Sequence, residues 1–258
     1  MIPQIFAHAA KVAGRSVDDY LASPATAAEC QLAAWRHYGL EAVFAVLDLA
    51  IEAEALGGTV VRRSGTYPAI SAPPFTPDRD FSKLALPDPA TAGRMPSVLD
   101  MVTRLRAGIG DDAALIGLVQ GPMTGAVQLV GMERALFLAV DETARFLDLL
   151  DYATGIASAF GLAQLAAGAD IVVVFDPAAY PEVVPAAMFR EMIGPRVAHL
   201  AAAFKQAGAK ANWLHIAGQT AAILPLYSAL GVDIGVVDYC IDLGRVRDAT
   251  GDSLLTFP

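Results

Sequence analysis

Cysteine is nearly absent: Cys30 and Cys240 are the two thiols in 258 residues. Two thiols cannot build a disulfide framework, so a reducing, cytoplasmic setting is expected. Cations are scarce as well. Eighteen Lys and Arg against 27 Asp and Glu leave a formal net charge of -9, and a chain with no basic face is not built to hold nucleic acid. No G-x-G-x-x-G or Walker-type run occurs, which removes the usual phosphate loop of a doubly wound nucleotide-binding sheet. Residues 1–6 lack the basic start and long apolar core of a signal peptide. The uncharged run 114–132 raises the question of a membrane span. Gln120, Gly121, Pro122, Thr124, Gly125 and Gln128 interrupt it, and they suit a strand, a tight loop and a helix start instead. No membrane partner is expected.

What is present is apolar and periodic. With 55% hydrophobic and 17% charged residues, the chain can bury a large core. Short β-branched runs alternate with longer Ala/Leu-rich stretches of helical period, the mark of parallel βα units. Strands are predicted at 2–6, 41–48, 114–120, 171–176, 213–217, 234–239 and 254–258, with a small extra one at 59–63. Helices are predicted around 16–21, 25–39, 96–110, 133–140, 141–168, 185–206 and 220–230. Gly39, Gly110, Gly168, Gly208 and Gly231 each close a helical stretch before a strand, and Asp141 offers an N-cap to the helix that follows it. Residues 67–93 hold six prolines and read as an insertion lying over the mouth of the fold. The whole, residues 1–258, is expected to be one domain: a (β/α)₈ TIM-type barrel truncated before its last βα unit, with its site at the C-terminal ends of the strands.

Polar residues gather at those ends. Asp48, Asp176 and His215 are the expected catalytic residues, and His8, Glu52, Gln120 and Tyr180 the expected substrate contacts. Asp238 and Cys240 follow the sixth strand. Each also has a structural reading: Asp48 as a cap for the helix after it, Asp176 as organiser of the turn at Pro177, His215 as a satisfied core histidine. Their convergence on one rim is the stronger signal, because buried carboxylates and imidazoles are costly unless a partner or ligand meets them. The other histidines weigh less. His37 sits at a helix end, where a cation complements the dipole, and His199 lies in an amphipathic helix.

Several blocks together resemble the uroporphyrinogen decarboxylase and cobamide-dependent methyltransferase superfamily. They are Pro3-Gln4-Ile5-Phe6-Ala7-His8, Asp48 with Glu52-Ala53-Glu54-Ala55-Leu56-Gly57, Gly93-Arg94-Met95-Pro96, Gly121-Pro122-Met123-Thr124, Phe175-Asp176-Pro177 and Leu214-His215-Ile216-Ala217-Gly218. The likeness is closest to the methylcobamide:coenzyme M methyltransferase branch. It implies methyl transfer to or from a corrinoid carried by a partner protein, with a small-molecule methyl donor or thiol acceptor. In that branch a His-x-Cys pair and a later Cys bind zinc. Here Ala217 replaces the first Cys, and the chain reaches Pro258 about where the family continues into its last unit. No tightly bound cofactor is therefore expected; were zinc found, His215 and Cys240 would be its first ligands to examine. The alternatives are a decarboxylase acting on a tetrapyrrole or small carboxylic acid, and a catalytically degenerate binding protein. A barrel open at one seam would also favour a homodimer.

Overall fold

The computed structural model describes residues 4–238, 241–251 and 254–257. Its strands are β1 (Ala42–Phe44), β2 (Thr59–Val61), β3 (Ala69–Ala72), β4 (Ala114–Gln120), β5 (Ile171–Phe175), β6 (Ala211–His215), β7 (Ile234–Val236) and β8 (Leu255–Phe257). The principal helices are α1 (His8–Val12), α2 (Val17–Ala22), α3 (Pro24–Tyr38), α4 (Ile51–Ala55), α5 (Met95–Ile109), α6 (Pro122–Val130), α7 (Met132–Asp141) and α8 (Thr143–Ala166). The single turn α9 (Ala186–Met188) then leads to α10 (Gly194–Gln206) and α11 (Leu243–Thr250).

Six strands form one parallel sheet in the order β1-β4-β5-β6-β7-β8. It curls as a half-barrel whose end strands, β1 and β8, each have a single strand neighbour among the described residues. β4 and β5 read as nearly continuous apolar runs because both faces are covered. Ile116, Leu118, Ile171, Val173, Trp213 and Ile234 point into the concave face with Phe44 and Val46. Leu115, Val119, Val172, Val174 and Leu214 point the other way, into the helices. α8 is long and apolar enough to cross a membrane, yet 56% of that stretch is buried inside the protein. It packs against α6, α10 and β4 as a core helix.

Several local expectations give way to competing hydrogen bonds. Residues 4–7 make no strand: Phe6 turns the chain at φ 35° and α1 begins at His8. There the Gln31 amide donates to the Phe6 carbonyl at 2.8 Å, and the Ala7 N–H donates to the Tyr67 hydroxyl at 2.7 Å. Asp141 ends α7 instead of capping α8, whose N-cap position is Glu142. The helix expected at 220–230 is three 3₁₀ turns; Pro225 lacks the N–H an α-helix would need there. The small strand at 59–61 pairs antiparallel with β3, inside the proline-rich segment, and not with the main sheet. That segment is anchored by Phe75 and Phe81, which pack edge-on and tilted against Tyr152 of α8.

The edge of β4 facing β1 explains the placement of the site. β1 stays in register only over Ala42↔Ala114 to Phe44↔Ile116, followed by one more bond from Ala45 N–H to Ile116. Beyond it, side chains replace the strand. The Gln164 amide accepts from Leu118 N–H at 3.0 Å and donates to the Leu118 carbonyl at 2.9 Å. It reaches them across Gly117, where a Cβ would stand 2.3 Å from Gln164 Oε1. One step on, Glu52 Oε1 accepts from Gln120 N–H at 2.9 Å, and the Gln120 amide donates to the Leu49 carbonyl. Gln164→Leu should strand both backbone groups of Leu118 in the core and lower stability by about 2–4 kcal/mol. Urea unfolding of the variant against the parent measures this; an unchanged midpoint would mean that the Gln164 bonds contribute nothing net.

Candidate functional site

The register Gln120↔Phe175↔His215 places these three residues level at the C-terminal rim of the sheet. Beside them, where β1 has bent away, lies a cavity of about 260 Å³. Phe6, Val46, Leu118 and Phe175 wall it, Tyr67 and Pro68 from the proline-rich segment also line it, and Asp48 is its charged lining group. Of the residues expected from the sequence, Asp48 lines this cavity, which lies at the strand ends where a barrel of this class places its site.

Asp48 is held from two sides. Its Oδ1 accepts from Ala50 N–H at 2.9 Å, an Asx-type turn that starts the approach to α4. The Arg94 guanidinium grips both carboxylate oxygens, at 2.6 and 3.2 Å. Arg94, at the N-terminal end of α5, also donates through Nε to Glu54 at 2.6 Å, and Arg62 donates to the other oxygen of Glu54 at 2.6 Å. Asp48, Arg94, Glu54 and Arg62 therefore alternate in sign along one chain of ion pairs. Burial alone would raise the Glu54 carboxyl, but its two guanidinium partners hold it below the usual carboxylate range.

The other buried acids are resolved differently. Glu52 is pushed up to about 7 by burial, with the Asp48 charge adding to the effect and the Gln120 N–H opposing it. Asp176, fully buried, sits behind the sheet rim and clamps the start of α6: its oxygens accept from Thr124 N–H at 2.6 Å and Met123 N–H at 3.2 Å. Those are orphan donors of a helix N-terminus, so a carboxylate is well placed there. Burial still raises it to about 6. Gly121 makes the approach possible, since a Cβ there would fall 2.3 Å from the Asp176 Cβ.

His215 packs its ring 4.5 Å from that of Phe175, and its Nδ1 lies 3.3 Å from the Gln4 amide nitrogen. Burial lowers it to about 4, so the imidazole is neutral near pH 7. Past it, Gly218 turns at φ 90°, its N–H donating to Asp238 at 3.2 Å, while Gln219 N–H donates to Glu182 at 3.2 Å. Tyr180 packs beside Gly218. The rim thus gathers Asp48, Gln120 and His215, with Glu52 behind them and Tyr180 along the same edge. Asp176 faces a helix end. His8 stands apart, exposed on α1 and bonded to the Tyr38 hydroxyl at 3.0 Å. Arg94, Tyr67 and Phe175 were missed as site residues. The first lay in plain view in Gly93-Arg94-Met95-Pro96, an arginine just ahead of a Pro-led helix.

No group of three His, Cys, Asp or Glu side chains among the described residues gathers closely enough to hold a metal ion. Ala217 is exposed where a thiolate would complete a pair with His215, and Cys240 lies outside the described residues. Among the described residues, one imidazole without a thiolate partner does not fit a four-coordinate zinc site.

A parallel, helix-covered half-barrel with its polar residues at the strand C-termini defines a TIM-barrel-type α/β protein. The uroporphyrinogen decarboxylase (URO-D) family profile matches residues 5–256, and the chain belongs to that family. It is 29% identical over 232 residues to the methylcobamide:CoM methyltransferase MtaA of Methanosarcina barkeri, covering 89% of this chain and 67% of that protein. It is 28% identical over 207 residues to the methylated-thiol–coenzyme M methyltransferase of Methanosarcina mazei, covering 80% and 54%. A uroporphyrinogen decarboxylase of Aromatoleum aromaticum is 27% identical over 256 residues, covering 92% and 67%. The chain thus spans between about half and two thirds of the length of these relatives. The solved structure of a methyltransferase from Methanosarcina mazei superposes with a TM-score of 0.87 at 25% identity, covering 97% of this chain and 74% of that one.

Two predictions follow from the rim's electrostatics. Glu52 binds its proton more tightly in the folded state (about 7) than at its ordinary value of 4.5. Its contribution to stability is therefore complete below about pH 4.5 and is lost as pH rises through about 7. His215, lowered to about 4, works in the opposite sense, its contribution being lost as pH falls from about 6.5 to about 4. Glu52→Gln should therefore gain on the parent by up to about 3 kcal/mol between pH 4.5 and 7.5, measured by urea unfolding at each pH. A difference that stays constant over this range would rule out a proton on Glu52. Separately, Ala217→Cys should raise zinc affinity by at least about tenfold, read by competition with a chromophoric chelator; parent-like competition would show that His215 cannot pair with residue 217.

Proposed function

We propose that this protein moves a methyl group to or from a corrinoid carried by a partner protein, with the cavity beneath Tyr67 receiving the small molecule that gives or takes the methyl. One observation carries the reading: the cavity and Asp48 lie at the strand C-termini of a fold that superposes on a methyltransferase at a TM-score of 0.87. The corrinoid cobalt would supply the methyl carrier, presented by the partner at the same rim. The chain's own residues do the rest. Apolar walls exclude water from the reacting group, and Arg94 keeps Asp48 oriented and paired at the edge of the cavity. The neutral imidazole of His215 stands by as a proton acceptor. A cytoplasmic setting and a homodimer belong to the same proposal.

Decarboxylation of a polycarboxylated tetrapyrrole fits the cavity poorly. Such a substrate needs cationic clamps, whereas the cavity lining carries a carboxylate and no Lys or Arg.

The test is optical. Adding the protein to a corrinoid protein in the methylated or reduced state should change the cobalt absorption bands in the presence of a methyl acceptor or donor. Asp48→Asn, by loosening the pair with Arg94, should slow that change by about 100-fold, while His199→Ala, on an exposed face of α10, should leave it unaltered. An identical rate for Asp48→Asn would remove Asp48 from the mechanism, and no spectral response from the parent would remove the methyl-transfer reading itself.

A further inference from the structure

The cavity beside Asp48 is apolar on almost every side. Seven of its eight lining residues carry no charge, and three of those, Phe6, Tyr67 and Phe175, are aromatic. The eighth, Asp48, leaves a ligand nothing to pair with. Its side chain is fully buried, and Arg94 and the Ala50 N–H already hold both oxygens. Arg94 itself lines a separate groove with Arg62 and Arg63. The wall therefore presents no free charge of either sign.

Phe6 is held in this wall at a cost. Its φ of 35° puts a bulky residue in the left-handed region, a conformation that persists only where the surroundings over-determine it. Here they do. The buried Gln31 amide donates to the Phe6 carbonyl at 2.8 Å and to the Tyr20 hydroxyl at 3.0 Å. Tyr20 in turn donates to the Val46 carbonyl at 2.8 Å. One chain of hydrogen bonds thus ties two walls of the cavity, Phe6 and Val46, to each other. The Ala7 N–H, one residue on, donates to the hydroxyl of a third wall, Tyr67, at 2.7 Å. The rings are backed as well: Phe44 meets Phe6 edge-on at 5.7 Å, and His215 lies 4.5 Å from Phe175. Filling space needs neither the strain nor the network; a preorganised binding surface uses both.

We infer that this cavity binds an uncharged aromatic molecule about the size of a substituted benzene, and that Phe6 is the residue that selects for the ring. The inference rests on the methyl-transfer reading for the role of that molecule, though not for its test. Aromatic walls favour a flat ring, which gains offset or edge-on contacts that a saturated ring of the same shape does not. An anion would give up its hydration and meet no cation. A cation would be drawn by the ring faces, yet it too would be stripped of water beside an ion pair already closed on itself. Size agrees. An apolar cavity of about 150 Å³ accepts benzene, so about 260 Å³ leaves room for a small substituent and excludes a tetrapyrrole.

Isothermal titration of the full chain near pH 7.5 tests this with four probes of similar size: benzyl alcohol, cyclohexylmethanol, benzylammonium and benzoate. Benzyl alcohol should bind saturably and at least about tenfold more tightly than either ion. It should also bind about threefold more tightly than cyclohexylmethanol, its saturated counterpart. Phe6→Leu keeps an apolar wall of similar bulk. It should bring the two alcohols to about equal affinity while changing the discrimination against the ions by less than about twofold. Should that variant unfold, Phe175→Leu reads the loss of ring preference from the opposite wall. Equal or tighter binding of either ion, equal or tighter binding of cyclohexylmethanol, or no binding of benzyl alcohol would overturn the inference. An unchanged ring preference in a folded Phe6→Leu protein would overturn the role of Phe6. Failure here is separable from failure of the methyl-transfer reading. A corrinoid spectral response without these preferences would sink the cavity assignment alone, and the preferences without a corrinoid response would sink methyl transfer alone.

Discussion

β1 leaves β4 after a very short stretch of pairing, and much of what is distinctive in this molecule depends on that separation. A parallel strand that loses its neighbour must satisfy its backbone elsewhere or leave polar groups in the core. β4 does so with the Gln164 amide and then with the Glu52 carboxyl. The gap so created is the cavity lined by Val46, Asp48 and Leu118. The Val46 carbonyl, freed from the sheet, is taken by the buried Tyr20 hydroxyl at 2.8 Å, which ties the N-terminal helices to the rim. The hole and the bonds that tolerate it are parts of one arrangement.

Three buried acids show three ways of surviving desolvation. Asp48 pairs with the Arg94 guanidinium, Asp176 leans on the N–H groups at the start of α6, and Glu52 is pushed up to about 7 by burial. Only the first of these faces the cavity. Its side chain is fully buried, held by Arg94 and the Ala50 N–H, whereas Asp176 and Glu52 accept from backbone N–H groups of α6 and β4. Their common location at the strand ends does not give them a common role.

The core strands were legible because β5 is wholly apolar and β4 is apolar up to Gln120, while β6 keeps Trp213 and Leu214 at its centre; a doubly covered parallel strand has little other choice of sequence. Residues 2–6 carry a similar apolar pattern, but the described part of that run turns at Phe6, since side chains of Gln31 and Tyr67 claim its backbone. No periodicity encodes such long-range capture. At the site, Asp48 and His215 could be singled out from their place after apolar runs. Asp176 could not be told from a turn or helix clamp, because the N-terminus it serves lies 52 residues away in the chain. His8 was attractive for its neighbourhood in sequence and is exposed because α1 carries it outward. Arg94 stood in a visible motif, but its role comes from Asp48, 46 positions earlier, and spacing along the chain does not show that pairing.

The loop at Ala217 and Gly218 keeps its shape without a metal. Gly218 and Gln219 present their N–H groups to Asp238 and Glu182, so two carboxylates from other parts of the chain clasp the segment whether or not residue 217 carries a sulfur. The side chain at 217 can therefore change without the surrounding backbone having to be rebuilt. The shape of this loop and the chemistry carried at that position are set by different residues, so one can be altered while the other stands.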